Sequence, residues 1–252
     1  VKITVYRNAH DLASALAEDV ADRLSAKPTL VIGLPTGRTP LGFYREIVRL
    51  AREGRADFSR ATTFNLDEFL GARPEHATSY RQYMERHFFG QINIDPGRVH
   101  VLDGGASDAR VECERYEAAI SEAGGIDVQI LGIGSNGHIG FNEPAASLNA
   151  RTHVARLRPE TRRANAAMFG GDASRVPARA LSMGMATILG ARSIVLMAIG
   201  SGKARQVEGA IHGPLTTRLP ASFLQIHTDV RVMLDRAAAA RLRPGRRGTC
   251  AP

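Results

Sequence analysis

A single α/β domain with a mostly parallel, doubly wound (Rossmann-like) sheet and helices on both faces is the fold this sequence predicts. Two observations predict it. Seven short apolar runs recur along the chain, too continuous for strands with one wet face. Between them lie segments whose apolar residues return every three or four positions, the period of a helix. Strand–helix alternation over the whole length gives such a sheet.

The elements follow in order. "ITVY" (3–6) reads as a first strand, and Leu12, Leu16, Val20 and Leu24 line a helix over 11–24. "TLVIGL" (29–34) is the next strand; Pro40 then opens a helix over 40–51 that buries Leu41, Tyr44, Ile47 and Val48. "TTFNL" (62–66) and "VHVL" (99–102) read as strands, followed by a helix over 109–122 through Cys113, Tyr116 and Ile120. "VQILGIG" (128–134) is a strand, and 177–189 reads as a helix opened by Pro177 and carrying Leu181, Met185, Ile188 and Leu189. "SIVLMAIG" (193–200) and "RVMLD" (231–235) complete the set. The domain is expected over 1–235, with a basic, disordered tail over 236–252.

Composition narrows the function classes. With 252 residues and 44% hydrophobic content, the chain can bury a full core. No apolar stretch approaches the roughly 20 residues that span a bilayer, and the start, "VKITVYRNAH", has no signal-peptide core. A cytoplasmic protein with no membrane partner is expected. Two cysteines, Cys113 and Cys250, make neither a disulfide framework nor a cysteine metal site. The net charge of +8 invites a nucleic-acid reading, but five arginines (Arg236, Arg241, Arg243, Arg246, Arg247) fall in the tail, leaving 8 − 5 = +3 for the body. No nucleic-acid partner is expected, whereas an anionic small substrate suits the body.

In a sheet of this kind, ligands bind at the carboxyl ends of the strands. Four unusual loops fall there. "GLPTGRTP" (33–40) offers Gly37 for close backbone approach, the hydroxyls of Thr36 and Thr39, the guanidinium of Arg38 and a helix start. That is an anion cradle without the Gly-Lys-Ser/Thr ending of a nucleotide loop; a strand–helix turn capped by Thr39 would read the same way. "FNLDEF" (64–69) places Asp67 and Glu68 at a strand end, where one can serve as a general base or both can simply be solvated. "GSNGHIGFNEP" (134–144) follows a buried strand at once with His138 and Glu143, an acid–base group and its orienting partner; a loop histidine with satisfied hydrogen bonds is the plainer alternative. The HxxxxE spacing is not helical and no third ligand is evident, so no metal is expected. "GSGKARQ" (200–206) sets Lys203 at a helix start, to meet a phosphate or solvent. Taken together, the four loops suit proton shuffling on a phosphorylated sugar.

"GLPTGRTP", "TFNLDEFLG", "SYRQYM", "LGIGSNGHIGFNEPAASLNARTH" and "VPARALSMGMATIL" resemble the glucosamine-6-phosphate deaminase (glucosamine-6-phosphate isomerase) family, in order, from about residue 3 to residue 235. The resemblance implies conversion of glucosamine 6-phosphate and water to fructose 6-phosphate and ammonia, without cofactor or metal. It implies that His138, oriented by Glu143 and Asn136, opens the sugar ring, and that Asp67 carries a proton between C2 and C1. Asn136 stands where the family has Asp or Asn, and it cannot supply a full charge. Deamination of another amino-sugar phosphate, such as galactosamine 6-phosphate, and a non-catalytic sugar-phosphate sensor are the alternatives. A sensor would need an attached DNA-binding domain, for which no room is expected.

Two departures stand out. Relatives activated by N-acetylglucosamine 6-phosphate carry basic residues where this chain has His153 and Ala155, and an aromatic near the C-terminus where it has none. The family's phosphate-binding Arg is replaced by Ala167 in "TRRANAAMF" (161–169), a helical stretch in which Arg163 lies one turn earlier. Arg163 and Lys203 are therefore the candidate phosphate ligands, although helical side chains lean toward the N-terminus and carry Arg163 away from the gap. A homo-oligomer is possible, since the family contains monomers and hexamers.

Overall fold

The computed structural model describes residues 1–242. The chain opens with β1 (Lys2–Tyr6), α1 (Ala9–Ala26), β2 (Val31–Leu34), α2 (Leu41–Arg52) and β3 (Thr62–Asn65). After one residue it continues as β4 (Asp67–Phe69), then α3 (Tyr80–His87), β5 (Val99–His100), α4 (Ala109–Glu122) and β6 (Val128–Gly132). It closes with β7 (His153–Arg156), α5 (Pro159–Asn165), β8 (Arg179–Ser182), α6 (Met185–Leu189), β9 (Ser193–Ala198), α7 (Ala204–His212) and β10 (Val230–Asp235).

Seven strands form one sheet in the order β1-β10-β9-β6-β2-β3-β5, every neighbouring pair parallel. These are the seven apolar runs. β2 and β9 are buried along their whole length, as strands covered on both faces must be. On one face pack α1, α2 and α3, burying Leu16, Tyr44, Ile47 and Met84; on the other pack α4, α6 and α7, burying Tyr116, Ile188 and Val207. Asn8 caps α1 by accepting from the Asp11 N–H, and Asp108 caps α4 in the same way. Pro40 caps α2 one residue before the helix begins.

The chain leaves β2 toward β3 and β5 on one side, then returns through β6 to β9 and β10 on the other. β2 and β6 are adjacent, so their carboxyl ends form the topological switch point, where loops diverge and leave a crevice.

A second, antiparallel sheet of three strands, β4-β8-β7, was not expected. It corrects the helix predicted over 177–189. That segment is strand β8, a turn, and the short helix α6. Leu181 and Met185 do face one core, as the helical spacing required, but Leu181 reaches it from a strand paired to β4 and β7. The helix read over 161–169 is α5 followed by a 3-10 turn over Ala166–Phe169. The expected boundary at 235 also moves. Ala238, Ala239 and Leu242 are buried, and the Ala238 N–H donates to the Asp235 carboxylate at 2.7 Å, so residues 236–242 pack with the domain. The remainder of the expected tail, 243–252, lies outside the described residues. No helix among the described residues is long and apolar enough to cross a membrane.

Candidate active site

The carboxyl ends of four adjacent strands, β9-β6-β2-β3, carry the four loops, and they meet around one cleft of about 240 Å³. Thr36, Gly37, Arg38 and Thr39 line it from the loop after β2, Asp67 from the corner after β3, His138 from the loop after β6, and Lys203 from the loop after β9.

The glycine loop is held from behind by two tyrosines. The Tyr44 hydroxyl donates to the Pro35 carbonyl at 2.5 Å and the Tyr83 hydroxyl to the Gly37 carbonyl at 2.6 Å. In a trans peptide the N–H points opposite to the carbonyl. Tying down these two carbonyls therefore turns the Thr36 and Arg38 N–H groups toward the open side. Gly37, at φ +93°, makes the reversal that an L side chain would resist. The result is a concave donor surface ahead of α2.

Asp67 begins β4 at the corner between the two sheets. Leu66 fixes that corner: its N–H donates to the Leu34 carbonyl and its carbonyl accepts from the Met183 N–H. Asp67 is 6% exposed. Burial, together with the neighbouring Glu68 charge, pushes its carboxyl up to about 8, against a hydrogen bond from Thr36 that holds it down. Glu68, the other acid the sequence offered at this strand end as a substrate-facing candidate, turns away from the cleft. Alternation along β4 sends it to the other side, where it accepts from the backbone N–H groups of Phe69, Tyr80 and Arg81 and so caps the start of α3. Burial raises the Glu68 carboxyl to about 7 against those three donors.

His138 stands over Gly134, and the loop closes on itself through the Gly134 N–H to the His138 carbonyl at 2.9 Å. Its Nδ1 lies 3.4 Å from Glu143 Oε2 and 3.4 Å from the Thr161 hydroxyl. Nε2 is thereby the nitrogen left for the cleft. Burial pushes the Glu143 carboxyl up, but the hydrogen bond and charge of His138, the Thr161 hydroxyl and the Arg158 N–H outweigh it and bring the group to about 2. Asn136 completes the cluster: its amide donates to Glu143 at 2.7 Å, and its oxygen accepts from the His138 N–H at 3.2 Å. A neutral amide thus orients both partners while Glu143 supplies the charge. A Cβ on Gly134 would come within 2.4 Å of the His138 ring. Gly134→Ala is expected to displace the imidazole and lower kcat by about 10²-fold, the cost of misplacing a reacting group by about 1 Å. Circular dichroism should show the fold retained, and a kcat within a few-fold of wild type would separate the ring's position from turnover.

The structure sets two expected residues apart from this cluster. Arg163 is exposed on α5 and does not line the cleft; its helix presents Ala164 and Asn165 there instead. Ala167 is exposed and also lies outside the lining. Tyr80 and Asn165, which sequence reasoning missed, do line it, joined by a 3.1 Å hydrogen bond from the Tyr80 hydroxyl to Asn165 Oδ1. Neither carries a spacing signal that would have marked it. Among the described residues, no three His, Cys, Asp or Glu side chains converge as a metal would need.

A glycine loop, a raised carboxyl and a His–Glu pair thus meet at one switch point. The chain belongs to the family described as glucosamine-6-phosphate isomerases and 6-phosphogluconolactonases, whose model matches residues 6–233. Within that family it is similar to the glucosamine-6-phosphate deaminase of Halothermothrix orenii, 46% identical over 242 residues, 96% of this chain and 100% of the relative. It is 44% identical to glucosamine-6-phosphate deaminase 2 of Bacillus subtilis, over 96% of this chain and 98% of that one. The solved structure of a monomeric glucosamine-6-phosphate deaminase matches with a TM-score of 0.92 at 42% identity, over 96% of this chain and 100% of the other. A 6-phosphogluconolactonase from Trypanosoma cruzi shares the fold, with a TM-score of 0.75 at 22% identity over 96% and 97% of the two chains.

Proposed function

We propose that this chain is a glucosamine-6-phosphate deaminase, converting glucosamine 6-phosphate and water to fructose 6-phosphate and ammonia. The observation that carries the reading is one cleft in which a buried carboxyl and a His–Glu pair sit beside an anion cradle. His138 takes the proton of the sugar's O1 hydroxyl and returns one to the ring oxygen, opening the pyranose. Asp67 then removes the C2 proton, which the adjoining C1 carbonyl acidifies, and an enolamine forms. Protonation at C1 leaves an imine at C2. Water adds there, the C–N bond breaks, and ammonia leaves. The reaction is therefore an isomerisation whose last step is hydrolytic. It suits a cytoplasmic enzyme of amino-sugar catabolism, and the free, buried Cys113 is consistent with a reducing compartment.

The direct test measures ammonia release and ketose 6-phosphate formation from glucosamine 6-phosphate, galactosamine 6-phosphate and free glucosamine. Glucosamine 6-phosphate is expected to be the best substrate. Faster turnover of either of the others would overturn the assignment.

The raised Asp67 carboxyl sets a pH profile. A base must be ionised to accept a proton, so kcat/KM should rise with pH and level off above about 8. A profile flat from pH 6 to 9 would remove an acid of this strength from the mechanism. Regulation is expected to be absent toward N-acetylglucosamine 6-phosphate. At the positions where activated relatives carry basic residues, β7 presents a half-buried His153 and a buried Ala155. An effector without differential contacts cannot shift an equilibrium between states. Substrate curves should be hyperbolic and unchanged by this compound; a sigmoidal curve that it makes hyperbolic would contradict the expectation.

A further inference from the structure

Two cations line the cleft, and neither is paired with an acid among the described residues. Arg38 and Lys203 are the arginine and lysine that line it, one from the loop after β2 and one from the loop after β9, across the switch point. Neither makes an ion pair or a side-chain hydrogen bond among the described residues. The carboxylate that lines the adjoining groove, Glu46, is engaged by Arg49 at 3.1 Å and approached by His10 at 3.7 Å. Burial, and then the charge of Arg38, lower the Lys203 ammonium, so the two cations feel each other. Like charges are brought together at a cost unless a ligand neutralises them.

The backbone beneath each is held in place. The peptide before Arg38 is pinned through the Gly37 carbonyl to Tyr83. Lys203 follows Gly200, whose N–H donates to both oxygens of Asp235 at 3.0 and 3.1 Å, while the same carboxylate takes the Ala238 N–H. The Lys203 N–H then donates to the Gly200 carbonyl at 3.1 Å. The start of the expected tail thus helps to hold the loop that carries Lys203.

Resting on the deaminase reading, we propose that Arg38 is the specificity-determining residue for the substrate phosphate, which it clamps with Lys203 over the glycine loop. A phosphate monoester held there meets backbone N–H groups on one side and two cations on the other, and a guanidinium can bind two of its oxygens at once. Discrimination between phosphorylated and free amino sugar then rests on the loop after β2. α5, where Arg163 faces away, and the 3-10 turn after it, where Ala167 offers no donor, contribute none of it.

The test is Arg38→Gln, which keeps a polar side chain and removes the charge, with Arg163→Ala as the comparison. Arg38→Gln should raise KM for glucosamine 6-phosphate by about 10- to 100-fold while kcat stays within a few-fold, because a charged hydrogen bond to a non-reacting group is lost equally from ground and transition states. Its kcat/KM for free glucosamine should not change. Titration calorimetry with inorganic phosphate should show a matching loss of affinity. Arg163→Ala should leave each of these values unchanged. A KM within about two-fold of wild type, or an equal loss on phosphorylated and free sugar, overturns the proposal. So does a larger KM effect from Arg163→Ala than from Arg38→Gln. If the wild-type chain releases no ammonia from glucosamine 6-phosphate, the reaction assignment fails. The phosphate titration then still decides the clamp, by whether Arg38→Gln weakens it.

Discussion

Asp67→Asn should lower kcat about 10²- to 10⁴-fold, leave KM for glucosamine 6-phosphate nearly unchanged, and raise the melting temperature. The first effect is the usual worth of a positioned general base. An amide has the shape of the carboxylate and can still accept from Thr36, but it cannot take the C2 proton. KM should hold because substrate affinity is assigned to the glycine loop and the cations, and the one contact Asp67 makes with that loop, the hydrogen bond from Thr36, is kept. The thermal effect follows from linkage. A carboxyl whose pKa rises from the usual value near 4 to about 8 on folding binds a proton in the native state that the unfolded chain has released. Native stability therefore falls as pH rises between those two values, and at pH 8 most of that cost is in place. Asparagine carries no such charge, so the gain in melting temperature should be largest near pH 8 and vanish near pH 3. Turnover within a few-fold of wild type would take Asp67 out of the proton transfer. A melting temperature lowered at pH 8 would mean that the carboxylate stabilises the corner it occupies.

The sequence signals that held are those written in consecutive residues. Each of the seven parallel strands is a local apolar run, and four loops follow four of them, so periodicity and position alone placed Thr36, Asp67, His138 and Lys203 at one end of a sheet. What failed depends on contacts distant in sequence. β4 has three residues and follows β3 after Leu66 alone, so it reads as the tail of the same strand. β8 carries Leu181 at helical distance from Met185, and only pairing with β4 and β7 makes it a strand. Glu68 sits beside Asp67 in sequence, yet strand alternation sends the two carboxylates to opposite sides, one to the cleft and one to the amides of α3. Arg163 failed for a related reason: a one-turn spacing along α5 says nothing of whether that face meets the cleft. Tyr44 and Tyr83 shape the anion loop from helices, through hydroxyls, and no motif around them announces it.

His138→Gln should also lose about 10²- to 10⁴-fold in kcat, but with a kinetic signature opposite to that of Asp67→Asn. In the proposed mechanism the imidazole serves ring opening, and an aldose ring also opens slowly in water by itself. The variant keeps Asp67, so it should still isomerise and deaminate whatever open-chain sugar forms without help. As enzyme is added, its rate should approach a ceiling set by spontaneous opening and cease to rise. Asp67→Asn lacks the later step, so its small rate should stay proportional to enzyme throughout. Glu143 explains why the histidine can do this work. Its carboxyl, held near 2, is ionised at every working pH, and it lies 3.4 Å from Nδ1, ready to stabilise the imidazolium that forms when Nε2 takes the proton. Asn136 holds that carboxylate in place without sharing the charge. Glu143→Gln should accordingly show the same ceiling with a smaller loss, because the ring keeps a neighbour but not a counter-charge. A His138→Gln rate that stays linear in enzyme to high concentration would place the histidine in the proton transfer at carbon and not in ring opening.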